Sequence, residues 1–167
     1  EALELFRYQF RHNPVYREFC TLLRRTPDQV NEIAAIPFLP VELFKNHRII
    51  TGDYSPEKIF TSSTTTGGTP SRHFVRSLAH YDEVYTLGFE REYGPLSDYT
   101  ILGLLPSYLE REGSSLVRMA EGMIERSADT RSGFYLYQHD ELAALLLQLQ
   151  QEQKKTLLLG VTFGLLN

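Results

Sequence analysis

From Thr61 to Ser71 the chain reads TSSTTTGGTPS, in which eight of eleven residues carry a hydroxyl and the other three are glycine or proline. Hydroxyls and backbone N–H groups are neutral donors suited to a polyanion. Gly67 and Gly68 let the main chain approach a ligand closely and adopt positive φ. Successive N–H groups in such a turn form an anion nest, and the hydroxyls can also reach a Mg²⁺ ion. Two familiar phosphate loops are absent. There is no lysine between Lys58 and Lys154 to complete a Walker A loop, and no GxGxxG fingerprint occurs. On the residues alone two readings stay open: a connector whose Ser and Thr cap turns, and a phosphate cradle. Threonine is stiff at χ1, which suits a connector poorly.

The cradle needs fixed ends. KIFTS and HFVRS flank the run as short apolar β segments, so strand, loop and strand form a hairpin. Ahead of it the chain reads as helices. Leu3, Phe6 and Phe10 recur at helical spacing, and Asn13-Pro14 breaks that helix. A second helix carries Val15, Phe19, Leu22 and Leu23 on one side. TPDQV reads as a third start, with Thr26 as N-cap and Pro27 in the first turn. IPFLP (Ile36–Pro40) runs extended, and VELFKNH is a short helix.

Beyond the loop, strands alternate with helices. A helix spans Leu78 to Tyr93, with Tyr81, Val84, Tyr85 and Phe89 on one face. YTILGLLP is a buried strand. SSLVRMAEGMIERSA is a helix with Leu116, Met119, Ala120, Met123 and Ile124 inward. GFYLY is a strand, HDELAALLLQLQQEQKK a helix with Leu142, Leu145, Leu146 and Leu149 on its face, and TLLLGVTF a strand. This order predicts an α/β fold: N-terminal helices, then a mixed, partly parallel sheet with flanking helices. The expected organisation is one partial domain over 1–167, with a helical lead-in over 1–48 and the sheet portion over 49–167.

Composition narrows the function classes. The net charge of −4 leaves no basic footprint for nucleic acid. No apolar run is long enough to span a membrane. One cysteine, Cys20, excludes an intrachain disulfide and fits a reducing, cytoplasmic setting. It sits on an apolar helix face, where a buried thiol is inert. The five histidines make no metal spacing, so no metal-binding residues are assigned. Glu110-Arg111-Glu112 reads as a solvated loop.

The run TSSTTTGGTPS resembles the phosphate-binding loop of adenylate-forming enzymes, a pattern close to S/T-S-G-T-T-G-x-P-K/S. The match runs through Ser62, Ser63, Thr65, Thr66 and Gly67, with Pro70 one residue later than in the pattern. IPFLPVELFK, PSRH, LLPSYLEREGSSLVRM and LLLGVTFGLL, in that order, resemble the LuxE-type acyl-protein synthetase branch. The resemblance implies the N-terminal domain of such an enzyme. Its members use ATP and Mg²⁺ to convert a fatty or other organic acid to an acyl-adenylate, then pass the acyl group to a thiol or protein acceptor, or to coenzyme A. It implies phosphate contacts from Ser62, Ser63, Thr64, Thr65, Thr66, Gly67 and Gly68, and places Tyr108 near the acyl substrate. No catalytic residue is assigned. The family's Y/F-G-x-T/S-E motif is absent. The chain is therefore expected to be the N-terminal part of a longer enzyme and inactive alone. Two alternatives stand beside this: a catalytically inactive partner-binding domain of the same fold, and a phenylacetate-type coenzyme A ligase.

Thr64 occupies the place of the pattern's central glycine. A threonine forced to positive φ stores on the order of 1–3 kcal/mol. Thr64→Gly in the whole enzyme is therefore expected to keep or raise acid-dependent pyrophosphate exchange. Thr64→Ser, which keeps the hydroxyl, separates strain from ligation. Exchange retained by Ser and abolished by Gly overturns the strain argument and makes Thr64 a ligand.

Overall fold

A computed structural model describes residues 1–62, 68–105 and 113–161. The chain divides into two compact units, Glu1–Ser77 and Leu78–Asn167. Ser63 to Gly67 and Tyr108 lie outside the described residues.

The first unit opens with α1 (Ala2–His12) and α2 (Pro14–Leu22). Asn13 separates them in an extended conformation, and its side chain accepts the Tyr16 N–H at 3.1 Å. Pro14, which has no N–H to lose, takes the first helical position. Phe6, Tyr16, Cys20 and Val30 form the core, with Phe10, Phe19 and Leu39 packed against it. α2 buries the Tyr16–Cys20 stripe, whereas Leu22 and Leu23 of the expected face are 76% and 49% exposed. The helix ends before that face is complete. Arg24 turns into the left-handed region at φ 55, and the Arg25 N–H closes onto the Cys20 carbonyl at 2.8 Å.

The helix expected from Thr26 is a single turn. The Val30 N–H reaches the Thr26 carbonyl, and Gln29 Oε1 accepts from both the Thr26 N–H and hydroxyl. Fully buried Val30 then anchors the chain, which continues into one 3₁₀ turn at Ile33–Ala35. IPFLP is free of helix and strand, as its prolines require. α3 (Leu43–Asn46) follows, then the antiparallel hairpin of β1 (Lys58–Thr61) and β2 (Arg72–Val75).

The second unit alternates helix and strand as expected. α4 (Leu78–Tyr93) and a 3₁₀ turn at Leu96–Asp98 lead into β3 (Thr100–Leu104). Then come α5 (Ser115–Arg126), β4 (Gly133–Phe134), α6 (His139–Gln151) and β5 (Thr156–Gly160). The three strands are parallel in the order β4-β3-β5. β3 is buried along its whole length, which explains its unbroken apolar run. Ile101 packs with Leu96 and Met123 on one face, while Leu102 and Leu104 pack with Leu142 and Leu149 on the other. The α4 face is narrower than its spacing suggests, because Val84 is 55% exposed while Tyr81, Tyr85 and Phe89 are half-buried. GFYLY shrinks to a two-residue strand. Past Tyr135, Gln138 Oε1 captures the Leu136 and Tyr137 N–H groups and turns the backbone away from β3.

A polar network closes the start of β3. The Thr100 hydroxyl donates to Asp129 Oδ2 at 2.7 Å, and the Ile101 N–H donates to Ser132 Oγ at 2.9 Å. Arg131 clamps Asp129 through two side-chain N–H groups and reaches Glu152 at 2.8 Å. These Arg131 hydrogen bonds, helped by Thr100, hold the Asp129 carboxyl well below the usual carboxylate range despite its desolvation. Among the described residues no helix is long and apolar enough to cross a membrane, and no three His, Cys, Asp or Glu side chains gather as a metal site.

Two glycines of this unit differ in what surrounds them. A Cβ on Gly103 would lie 2.6 and 2.8 Å from the Phe134 ring, whereas a Cβ on Gly88, in α4, meets nothing within 4 Å. Gly103→Ala is expected to destabilise by about 1–3 kcal/mol through overpacking. Gly88→Ala is expected to stabilise by about 0.5–1 kcal/mol through helix propensity. Urea midpoints at constant slope measure both, and shifts of the same sign would refute the packing described around β3.

Candidate functional site

The hydroxyl-rich run is held at its base by paired strands, as its flanks predict. The register is Lys58↔Val75, Ile59↔Phe74, Phe60↔His73 and Thr61↔Arg72. One step further the Ser62 N–H donates to the Ser71 carbonyl at 3.0 Å, and the Ser71 N–H donates to Ser62 Oγ at 2.9 Å. Of the loop residues assigned from sequence, Ser62 and Gly68 are described. Ser62 uses its hydroxyl oxygen to shut the loop neck, which leaves its proton for another acceptor. A Cβ added at Gly68 would meet none of the described residues within 4 Å.

The hairpin is anchored within the first unit. Phe60, Phe74 and Val75 are buried. The Glu57 N–H donates to the Val75 carbonyl at 2.9 Å, and the Tyr54 hydroxyl to the Phe74 carbonyl at 3.1 Å. Two guanidiniums, those of Arg48 and Arg72, each stand 5.7 Å from the centroid of the Phe74 ring. Arg76 stands 5.8 Å from that of Tyr54. Such cation–π contacts fix long side chains without neutralising them.

Beside this cluster lies a cavity of about 350 Å³, walled by Phe74, His73 and Tyr54 on one side and by Gln9, Asn13 and Thr51 on the other. The polar wall is hydrogen-bonded within itself. Thr51 Oγ1 donates to Gln9 Oε1 at 2.6 Å and accepts from Asn13 Nδ2 at 3.3 Å. An apolar groove of about 300 Å³, edged by Leu5, Ile33 and Phe38, shares Gln9, Tyr16 and Leu39 with the cavity. The Tyr16 hydroxyl donates to the Pro37 carbonyl at 2.7 Å, and burial pushes its pKa up. Burial also raises the thiol of Cys20, which is fully buried, so it is a core group rather than a nucleophile.

The Arg48–Phe74–Tyr54 cluster and the Gln9–Asn13–Thr51 wall were not anticipated from sequence. Asn13 was legible only as the residue before Pro14. Nothing local links it to Thr51, 38 residues later.

Ser62→Ala removes the neck hydrogen bond to Ser71. The expected effect is a loss of about 0.5–1.5 kcal/mol of local hairpin stability, with faster amide exchange at Ser71 and unchanged exchange in α4. Unchanged protection of the Ser71 amide would contradict the neck geometry.

Residues 1–81 match the family model described as acyl-protein synthetase, LuxE. A stretch of 67 residues is 36% identical to a long-chain-fatty-acid–luciferin-component ligase of Photorhabdus luminescens. The stretch covers 40% of this chain and 57% of that relative. No solved structure matches. The N-terminal portion of this chain, including the whole hairpin and its cavity, is thus a match to the LuxE acyl-protein synthetase family.

Proposed function

We propose that the whole gene product is an ATP-dependent ligase that activates a fatty or other organic acid as its acyl-adenylate and passes the acyl group to a thiol or protein acceptor. The observation that carries this reading is the strand-anchored hydroxyl and glycine run inside the segment that matches the acyl-protein synthetase family. The relative that is 36% identical over 67 residues is named as a long-chain-fatty-acid–luciferin-component ligase.

In the proposed reaction a carboxylate oxygen attacks the α-phosphorus of ATP. The bond from that phosphorus to the bridging oxygen breaks, and pyrophosphate leaves with the electron pair. The β- and γ-phosphates belong on the loop from Ser62 to Gly68, where backbone N–H groups and hydroxyls meet the charge that develops on the leaving group. Mg²⁺ supplies charge neutralisation on the polyphosphate. The Ser62–Ser71 neck holds the two strand ends in place while ATP binds and pyrophosphate leaves. Among the described residues nothing at Gly68 bars a phosphate from the backbone.

Acid-dependent exchange of labelled pyrophosphate into ATP tests this directly. With the whole gene product, exchange is expected to require both Mg²⁺ and an organic acid, and to leave the acid as a hydroxylamine-trappable adenylate. Absence of exchange across straight-chain and aryl acids, in protein that is folded, sinks the ligase reading.

A further inference from the structure

From the cavity of the first unit we infer a second anion site, separate from the hydroxyl-rich loop: the pocket between Gln9, Thr51, Tyr54 and Phe74 binds a compact organic carboxylate or phosphate. The inference does not rest on the ligase reading. Its first support is the direction of the hydrogen bonds in the polar wall. Asn13 Oδ1 accepts the Tyr16 N–H that begins α2, so its Nδ2 faces Thr51 as a donor. Thr51 Oγ1 accepts that bond and must send its own proton to Gln9 Oε1. The chain of donors ends there. The Gln9 Nε2 group is left as a donor with no acceptor among the described residues.

The second support is charge. Among the described residues no acidic side chain lines the cavity, and its one titratable base is His73. Arg48 and Arg72 stand against the Phe74 wall, and Arg76 stands against the Tyr54 wall. None of the three arginines makes an ion pair with a carboxylate among the described residues. The three guanidiniums do not line the cavity but stand against rings that do, and positive charge placed there favours an anion. The remaining walls, Phe44, Ile49 and Ile50, are apolar and suit a hydrocarbon body rather than a bare ion. The volume of about 350 Å³ is at the compact end of the ~300–1,000 Å³ seen for small-molecule pockets.

The test uses benzoate and phenyl phosphate as probes, with benzamide as the uncharged control. In the 167-residue chain, both anions are expected to shift the Gln9 side-chain amide resonances and to raise the melting temperature, whereas benzamide binds at least tenfold more weakly. Arg48→Met combined with Arg72→Met, both at exposed positions, is expected to weaken anion binding at least tenfold. Gln9→Glu is expected to abolish it. The tighter of the two probes tells whether carboxylate or phosphate is the ligand chemistry. Millimolar ATP with Mg²⁺ is expected to leave probe binding unchanged. Equal binding of benzamide, indifference to the double arginine variant, or absence of binding by both anions overturns the inference. Displacement of the probes by ATP also overturns it, by assigning the anion to the loop. Pyrophosphate exchange is read separately, so failure of the ligase reading leaves these outcomes intact.

Discussion

One buried amide organises the first unit. Asn13 is 5% exposed and makes hydrogen bonds in two directions: its oxygen caps α2, and its nitrogen holds Thr51. The Gly52 N–H reinforces the second tie by donating to the His12 carbonyl at 2.8 Å. A buried polar group without partners costs about 1–3 kcal/mol, so both tasks must be met together. The segment that leads to the hairpin is thereby pinned to the junction between two helices. Tyr16 hangs from the same cap, and its hydroxyl fixes the extended proline segment through Pro37. The cap of α2 and the polar wall of the cavity thus meet in one side chain.

The second unit obeys a different constraint. Its central strand is buried on both faces and has no room for polar side chains except at its first residue. Thr100 is that residue, and Asp129 with Arg131 satisfies its hydroxyl. The network lies at the amino end of the parallel strands, so it reads as structural closure. In open α/β sheets ligands gather at the carboxyl ends of the strands. Here those ends are Leu104, Phe134 and Gly160. Gly103 lets the Phe134 ring lie directly against β3 near that end, where any side chain would overlap it.

Much of this architecture was legible because local chemistry and tertiary packing agree. The α4 bounds, the α6 stripe of Leu142, Leu145, Leu146 and Leu149, and the antiparallel ends of the hydroxyl-rich run all follow from periodicity and turn composition. The reading erred where a side chain diverted the backbone. Gln138 ended the strand begun by GFYLY, and Arg24 closed α2 before Leu22 and Leu23 found a surface to cover. TPDQV carries sound start signals, yet a cap only begins a helix, and burying Val30 outweighed continuing it. The cavity was hidden for another reason. Its walls come from α1, α2, α3 and the segment after it, and β2, and no short window of sequence contains them all.

The place of β3 in its sheet governs the order in which the chain can complete itself. It pairs with β4 some thirty residues later and with β5 more than fifty residues later, so both edges of a strand that is apolar beyond Thr100 wait for chain not yet made. At about 5–20 residues per second on the ribosome, the wait for β5 lasts on the order of 3–10 s. During that interval the strand TILGL offers unpaired amides and carbonyls to any neighbouring nascent chain. α4 and α5 are both complete before β5 emerges, and only one of the two faces of β3 is theirs to cover. The other face depends on α6, which makes α6 and β5 the elements that decide between folding and aggregation.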